Sequence, residues 1–249
     1  MMARIAVIGA GASGMTAVKA CLEEGLQPIV YEKTGFTGGL WRYHDDDVNG
    51  IASVAKSTII NSSKEMSAFS DFPPPKEFPN YMHNTMMVSQ LMLFIYFTFE
   101  FIILKCNYLD LYGDTFGFKS FVKFQHKVVS CEPAKDYEET GRWKLTINNL
   151  VDGNQFEEIF DGVMVCTGHH TTPSVPRFPG QELFKGKVMH THSYKKPDGF
   201  YDKNVVVVGI GNSGGDAAVE LSLVAKNVIN SIIFMMSASY NFLMSIKSI

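Results

Sequence analysis

Two glycine-rich segments of the same pattern constrain the fold of this chain more than any other feature. They are residues 9–14 (GAGASG) and 209–214 (GIGNSG), and each directly follows a short apolar run, residues 5–8 and 205–208. In a G-x-G-x-x-G turn the first glycine makes the tight bend, the second lets the backbone approach a pyrophosphate, and the third lets helix and strand pack closely. Two such segments in one chain predict two dinucleotide sites.

The residues after the first fingerprint complete a βαβ pattern. A helical spacing of apolar residues from Met15 to Leu22 ends at Gly25, and a second apolar run, residues 29–31, leads to Glu32. A carboxylate at this point, roughly 20 residues beyond the glycines, accepts hydrogen bonds from the hydroxyls of an adenosine ribose. The alternative is a solvated acid at a strand end. Because the carboxylate would repel a 2′-phosphate, the first site is predicted to bind FAD or NAD rather than NADP.

Composition describes a globular chain and excludes several classes of protein. The chain has 249 residues, 46% of them hydrophobic, with a formal net charge of −3, which suits one large or two modest domains. It has no cluster of basic residues interleaved with aromatic ones, so nucleic-acid binding is not expected. The four cysteines form no C-x-x-C motif, which favours reduced, mostly buried thiols. His169 and His170 have no third ligand at metal spacing, so no metal site is expected.

Further elements follow along the chain. A glycine-rich loop, residues 34–42, ends in a large aromatic residue suited to lie against a flat ligand, or to anchor a surface turn. Strand-like alternation at residues 121–129, 143–147 and 157–160 predicts a small antiparallel sheet. Residues 161–168 (DGVMVCTG) are typical of a fully buried strand that runs into a turn at the ligand-binding edge of a doubly wound sheet.

Two segments bear on targeting. The first strand begins within a few residues of Met1, which predicts that no signal peptide precedes it. Residues 91–106 (LMLFIYFTFEFIILKC) are the most apolar stretch, but they are short for a membrane span and contain Glu100. They are interpreted as a buried helix or as an insertion foreign to the ancestral fold.

Taken together, these motifs resemble the flavin-containing monooxygenases over residues 4–227, apart from the apolar segment. The diagnostic element is residues 184–194 (FKGKVMHTHSY), which fits F-x-G-x-x-x-H-x-x-x-(F/Y/W), a signature that this family shares with Baeyer–Villiger and N-hydroxylating relatives. The segments GGLW, NSSKEM, FSDFP, CTGHH and KPDGF favour the flavin-containing monooxygenases proper.

The resemblance implies an α/β fold in two domains. Residues 1–170 would form a doubly wound, Rossmann-like FAD-binding domain with a small antiparallel sheet and an atypical apolar insertion at about 91–107. Residues 171–249 would form a linker and an incomplete Rossmann-like NADP-binding domain.

The resemblance also implies two sets of cofactor contacts. The FAD contacts would be Gly9, Ala10, Gly11, Ala12, Ser13, Gly14, Glu32, Leu40, Trp41, Asn61 and Ser62. The NADPH contacts would be Ile60, Asn61, Gly209, Gly211, Asn212, Ser213, Gly214, Gly215 and Asp216.

The implied reaction passes hydride from NADPH to FAD and then uses O2 to form a C4a-hydroperoxide, whose distal oxygen a small-molecule amine or sulfide attacks. Asn61 is the candidate catalytic side chain because its amide both donates and accepts; the alternative is a turn-forming asparagine. His190 of the signature is interpreted as structural at least as readily as catalytic. By analogy with the family the protein would associate with the cytosolic face of the endoplasmic reticulum membrane, or else be cytoplasmic. The oligomeric state is left open.

The sequence departs from the family in two places. Residues 91–107 stand where relatives have an amphipathic helix, and residues 234–237 (FMMS) stand where relatives have the arginine that holds the 2′-phosphate of NADPH. The second domain also stops just after its second strand, although such a half needs about three. We therefore expect a truncated or mis-spliced product. The functions left open are a flavin-containing monooxygenase, a Baeyer–Villiger monooxygenase and an inactive FAD-binding fragment.

Overall fold

The structure, a computed structural model, describes residues 2–48, 50–87 and 108–231. The chain divides into two compact units, Met1–Lys196 and Pro197–Ile249. The first unit also contains residues 171–196, which the sequence analysis grouped with the second domain, and the domain bounds drawn there stay a prediction. The predictions for residues 91–107 and 234–237 lie outside the described residues.

Strands outnumber helices in the described residues. The strands are β1 Arg4–Ile8, β2 Gln27–Glu32, β3 Val122–Phe124, β4 His126–Pro133, β5 Trp143–Asn149, β6 Gln155–Phe160, β7 Gly162–Val165, β8 Asn204–Val208 and β9 Asn227–Ser231. The helices are α1 Ala12–Glu23, α2 Lys64–Ser67, α3 Tyr108–Thr115, α4 Tyr137–Thr140 and α5 Asn212–Ser222. Within the described ranges, no helix combines the length and the apolar character needed to cross a membrane.

The first unit is built on a parallel sheet in the order β3-β2-β1-β7. Because side chains alternate along a strand, β1 contributes to both faces of the sheet. Val7 packs with Met15 and Val18 of α1 on one face, while Ala6 packs with Leu145 and other side chains of the antiparallel sheet on the other. The sheet is therefore the middle layer between helices and a second sheet.

The antiparallel sheet has the order β4-β5-β6 and confirms the expected small sheet. The sequence, however, predicted one strand over residues 121–129, and the structure breaks it at Gln125, whose φ is 55°. Residues before the break pair in parallel with β2, as Val122 does with Val30. Residues after it pair with β5, as His126 does with Asn149. A single residue with left-handed backbone conformation thus divides one alternating segment between two different sheets.

The expectation of a fully buried strand at residues 161–168 is wrong in detail. Strand β7 spans Gly162–Val165 and pairs with β1, but it lies at the edge of the sheet, and Val165 is 73% exposed. An apolar run predicts a strand without giving its place in the sheet, and an edge position leaves one flank open.

The second unit contains a second βαβ element over residues 204–231. Strands β8 and β9 pair in parallel, with Val205 opposite Val228. Helix α5 follows β8, and Val207, Ala217 and Leu221 are buried. The pattern read from the sequence around the second fingerprint is therefore present as a complete strand–helix–strand unit.

Candidate dinucleotide sites

The first fingerprint forms the tight turn between β1 and α1. Gly9 has φ +106°, a conformation that side chains rarely adopt, and its N–H donates to the Tyr31 carbonyl at 2.9 Å. A Cβ on Gly14 would lie 2.0 Å from the Gly9 carbonyl oxygen. Glycine at these two positions is therefore required by the turn itself, before any ligand is considered.

The N-terminus of α1 is open to an anion. Gly11 is the residue before the helix, no side chain caps it, and the first turn carries no acidic residue. The first N–H groups of a helix have no partner within it, and they attract phosphate groups. A Cβ on Gly11 would meet only the Gly39 backbone, at 3.6 Å from its Cα and 4.0 Å from its N. The backbone at Gly11, directly before the helix N-terminus, is therefore not crowded by the described residues.

Glu32 is buried at the end of β2, beside this turn. Its Oε2 accepts from the Ala10 N–H at 2.8 Å, and its Oε1 accepts from both the N–H and the hydroxyl of Thr34 at 2.8 Å. A carboxylate has about four acceptor positions, so at least one stays available for a ribose hydroxyl. The sequence analysis missed Thr34. A hydroxyl residue two positions after an acid is the local signal that could have indicated it.

The loop that ends in Trp41 packs directly on the first fingerprint. The Gly38 N–H donates to the Ala10 carbonyl at 3.0 Å, and a Cβ on Gly39 would lie 3.1 Å from the Gly11 Cα. The turn Gly39–Trp41 follows. Its Leu40 carbonyl accepts from the Val54 N–H at 3.0 Å. Two glycine-rich segments distant in sequence therefore form one surface.

A cavity of about 190 Å³ lies beside this surface. Small-molecule sites are typically about 300–1,000 Å³, so the volume of this cavity is enough for only a part of a dinucleotide-sized ligand. It brings together five residues that the sequence analysis named, Ala12, Trp41, Ile60, Asn61 and Ser62. Its other lining residues, which the sequence analysis did not name, are Ser67, Phe69, Met87, Tyr108 and Leu109.

The segment that carries Asn61 is held by hydrogen bonds on either side of that residue. The Ile60 N–H donates to the Met82 carbonyl at 2.9 Å, and Ile60 is buried. The Ser62 and Ser67 hydroxyls lie 2.6 Å apart across the short helix α2. The Asn61 side chain is exposed and makes no hydrogen bond to the described residues. Its amide is therefore available to a ligand in the cavity.

Tyr108 is one of the residues that line the cavity. Its hydroxyl accepts from the Phe69 N–H at 2.6 Å and donates to the Phe72 carbonyl at 2.8 Å, so it ties down the turn between those residues. Burial raises the pKa of Tyr108. No sequence motif indicated this role, because the contact joins residues about forty positions apart.

The second fingerprint repeats the geometry of the first. Gly209 also has φ +106°, and its N–H donates to the Ser231 carbonyl at 2.9 Å. A Cβ on Gly214 would lie 2.6 Å from the Gly209 carbonyl oxygen. Gly211 precedes α5 without a side-chain cap. The predicted residues Asn212, Ser213, Gly214, Gly215 and Asp216 are the first five of α5.

The two fingerprints differ in what surrounds them. A Cβ on Gly9 would lie 2.5 Å from the Cys166 carbonyl oxygen, whereas within residues 197–231 no atom lies within 4 Å of the same position on Gly209. Ala10 is fully buried, while its counterpart Ile210 is exposed. Burial, and then the nearby Glu220, raise the pKa of Asp216. The first turn is enclosed by the residue that follows β7, whereas nothing within residues 197–231 covers the second turn in the same way.

Comparison with known proteins agrees with this geometry. The family of flavin-binding monooxygenase-like proteins matches residues 2–241. The chain belongs to this family. As a flavin-binding monooxygenase-like protein it is 46% identical over 230 residues to flavin-containing monooxygenase 5 of Rattus norvegicus, covering 92% of this chain and 39% of that protein. It is 40% identical to flavin-containing monooxygenase 2 of Homo sapiens, covering 93% of this chain and 40% of that protein.

Solved structures show the same fold. S-allyl-L-cysteine S-oxygenase from Allium sativum is 25% identical, with a TM-score of 0.78, over 98% of this chain and 54% of that one. Cyclohexanone monooxygenase from Rhodococcus sp. Phi1 bound to NADP+ is 21% identical, with a TM-score of 0.59, over 92% of this chain and 38% of that one, and shares the fold. The chain spans about two fifths of the length of the curated relatives given above. The predicted family and fold class are confirmed.

Proposed function

We propose that this chain forms the FAD-binding part of a flavin-containing monooxygenase that oxygenates soft nitrogen and sulfur nucleophiles of small molecules with NADPH and O2. The observation that supports the proposal is the cavity of about 190 Å³, because it is lined by Ala12, Trp41, Ile60, Asn61 and Ser62. These residues come from the fingerprint helix, the glycine-rich loop and the segment before α2, three parts of the sequence that the family resemblance connects to FAD.

Different residues of the first unit would bind different parts of FAD. The open N-terminus of α1 at Gly11 would bind the pyrophosphate, and the remaining acceptor capacity of Glu32 would take a ribose hydroxyl. Trp41 and Ile60 would exclude water from the cavity, and the Asn61 amide would donate to and accept from the ligand. When bound, FAD supplies the redox and oxygen-transfer chemistry.

The second unit would bind NADPH in the same way. The N-terminus of α5, with Gly211 before it and Asn212 and Ser213 in its first turn, offers unpaired N–H groups to a pyrophosphate. Its turn geometry, with φ +106° at Gly209, matches the first site.

The absorbance spectrum of the purified chain tests the proposal. We expect a yellow protein with a flavin band, and an NADPH oxidation rate that rises when a thioether or a tertiary amine is added. A rise with a ketone and not with a thioether would favour the Baeyer–Villiger alternative. A colourless protein that takes up no added FAD would contradict the proposal and favour an inactive fragment.

By analogy with the family, we further propose that the protein associates with the cytosolic face of the endoplasmic reticulum membrane. Fractionation of cells that express the tagged chain tests this. Recovery of all the protein in the cytoplasmic fraction would contradict the membrane assignment.

A further inference from the structure

The end of the F-x-G-x-x-x-H-x-x-x-Y signature contacts the segment that leads to Asn61. Lys195 directly follows the signature, and only 5% of its surface is exposed. Its carbonyl accepts from the Lys56 N–H at 2.8 Å, and its Nζ donates to the Ser53 carbonyl at 3.2 Å. One buried residue therefore binds the same short segment with both its backbone and its side chain. We call residues 190–196 the strap and residues 53–60 the flavin loop.

The flavin loop is fixed from its other side by Asn84, which is 1% exposed. The Asn84 amide nitrogen donates to the carbonyls of Ala55, at 2.7 Å, and Lys56, at 3.1 Å. The Asn84 N–H donates to the Thr58 carbonyl at 2.9 Å. Residues 53–60 are thus held between the strap and Asn84, and the next residue is Asn61.

Two further side chains of the strap lie close to exposed carboxylates. His192 Nδ1 lies 3.3 Å from Asp47 Oδ1, and Lys196 Nζ lies 3.3 Å from Asp45 Oδ1, but both carboxylates are exposed, and exposed pairs contribute little. His190 acts locally, since its Nδ1 accepts from the His192 N–H at 3.0 Å. The Lys195 side chain, in contrast, is buried and reaches the flavin loop at the Ser53 carbonyl.

The burial of the Lys195 side chain is not explained by its contribution to the free energy of folding. Its ammonium makes no ion pair with a carboxylate in the described ranges, and burial lowers its pKa, while Asp47 opposes that shift. A buried ammonium without a close counter-charge costs folding free energy. An apolar residue of similar length would avoid this cost, but it could not donate to the Ser53 carbonyl.

We infer that Lys195 is a positioning residue of the flavin site, through which the strap holds the flavin loop and so fixes Ile60 and Asn61 at the cavity. The inference rests on the proposed function for its meaning in catalysis. The mechanical part, that Lys195 restrains residues 53–60, stands on the hydrogen bonds alone.

Amide hydrogen exchange on the whole chain, read by mass spectrometry, tests the inference. In Lys195→Met we expect exchange of peptides covering residues 53–60 to rise roughly tenfold, the effect of losing one charge-assisted hydrogen bond, while exchange in α1 stays unchanged. Lys195→Arg keeps a charged donor and should show a smaller rise. Lys196→Met, at the half-exposed neighbouring position whose ammonium pairs with the exposed Asp45, is the matched control and should resemble the wild type at residues 53–60. If Lys195→Met does not fold, Lys195→Gln replaces it, since its shorter side chain cannot span to Ser53.

FAD affinity, measured by fluorescence on the same variants, provides the second readout. We expect it to fall in Lys195→Met by about the same factor as the loop exchange rises, and to be partly restored in Lys195→Arg. Unchanged exchange at residues 53–60, or an equal rise in α1, would overturn the inference. If the wild-type chain binds no FAD while the variants show the expected exchange pattern, the proposed function is overturned, but the inference that Lys195 restrains residues 53–60 stands.

Discussion

Gly14 and Gly11 lie three residues apart in the first fingerprint but are constrained by different neighbours. A Cβ on Gly14 would lie 2.0 Å from a backbone oxygen that cannot move without opening the turn. We expect Gly14→Ala to lower the free energy of unfolding by about 1–3 kcal/mol or more, measured by urea denaturation. Gly113→Ala in α3, whose Cβ would lie 3.7 Å from the Phe118 Cβ, is the control and should be neutral or stabilising. Equal losses in both variants would refute the steric argument.

A substitution at Gly11 is expected to affect ligand binding without affecting folding. Its added Cβ would stand at an ordinary contact distance of 3.6 Å from Gly39, so Gly11→Ala should fold with near wild-type stability. The methyl group would occupy the approach of the pyrophosphate. We therefore expect FAD binding to fall at least tenfold, measured by flavin fluorescence. Wild-type FAD affinity in a folded Gly11→Ala chain would contradict the placement of the pyrophosphate.

Asn61 is expected to act on the bound ligand rather than on the fold, because its side chain is exposed and makes no hydrogen bond to the described residues. Asn61→Ala should therefore keep its stability and its FAD. With the amide gone, we expect more hydrogen peroxide released per NADPH consumed, measured with a peroxidase-coupled assay. Unchanged coupling of NADPH use to product would argue against the role of Asn61.

At the scale of elements, Tyr108 links α3 to the turn between Phe69 and Phe72. Tyr108→Phe would remove two half-buried hydrogen bonds, to the Phe69 N–H and the Phe72 carbonyl, at a cost of about 1–3 kcal/mol. We expect a lower unfolding midpoint in urea. Tyr112→Phe, one turn further along the helix, is the control, because the Tyr112 hydroxyl makes no hydrogen bond to the described residues. The role of Tyr108 would be disproved if both variants had the same midpoint.

The elements also show which parts of the fold are local. The two βα turns, with their helices and following strands, could be predicted because each is stabilised by contacts among residues adjacent in sequence. The division of residues 122–133 between two sheets could not, since both halves have the same apolar alternation. The left-handed Gln125 and the distant partners Val30 and Asn149 decided it.

For the whole molecule, burial of tyrosines predicts an alkaline limit to stability. Burial, and then nearby Asp71, raise the pKa of Tyr112 to about 12, and burial likewise raises the pKa of Tyr31 and Tyr108. A phenol whose pKa is raised on folding contributes stability that is fully present below its unfolded pKa of about 10. That stability is lost as the pH rises above 10 through the folded pKa.

Absorbance at 295 nm during a pH titration, followed together with circular dichroism, tests this expectation. Tyr31, Tyr108 and Tyr112 should ionise only well above pH 10, together with loss of secondary structure. Tyr112→Phe should reduce the late step. Ionisation of all tyrosines in one step near pH 10 with the fold intact would show that burial does not control them.

The candidate site was only partly readable from the sequence. The fingerprints indicated Gly9, Gly11 and Gly14, and the family resemblance named Trp41, Ile60 and Asn61, which the structure brings to one cavity. Tyr108 and Lys195 were missed because their contacts depend on how separate segments pack. Thr34 was missed although its contact with Glu32 is local.

The sequence by itself determined the two strand–turn–helix units, the acid after the first of them, and the family. The strand–turn–helix units depend on the backbone conformations that glycine allows and on contacts between residues close in the chain, so the residue types at those positions predict them. The tertiary structure decided which residue encloses the first glycine turn, which apolar strand lies at an edge, and which side chains meet at the cavity. Those outcomes depend on contacts between segments far apart in the chain, and a local sequence pattern does not predict such contacts.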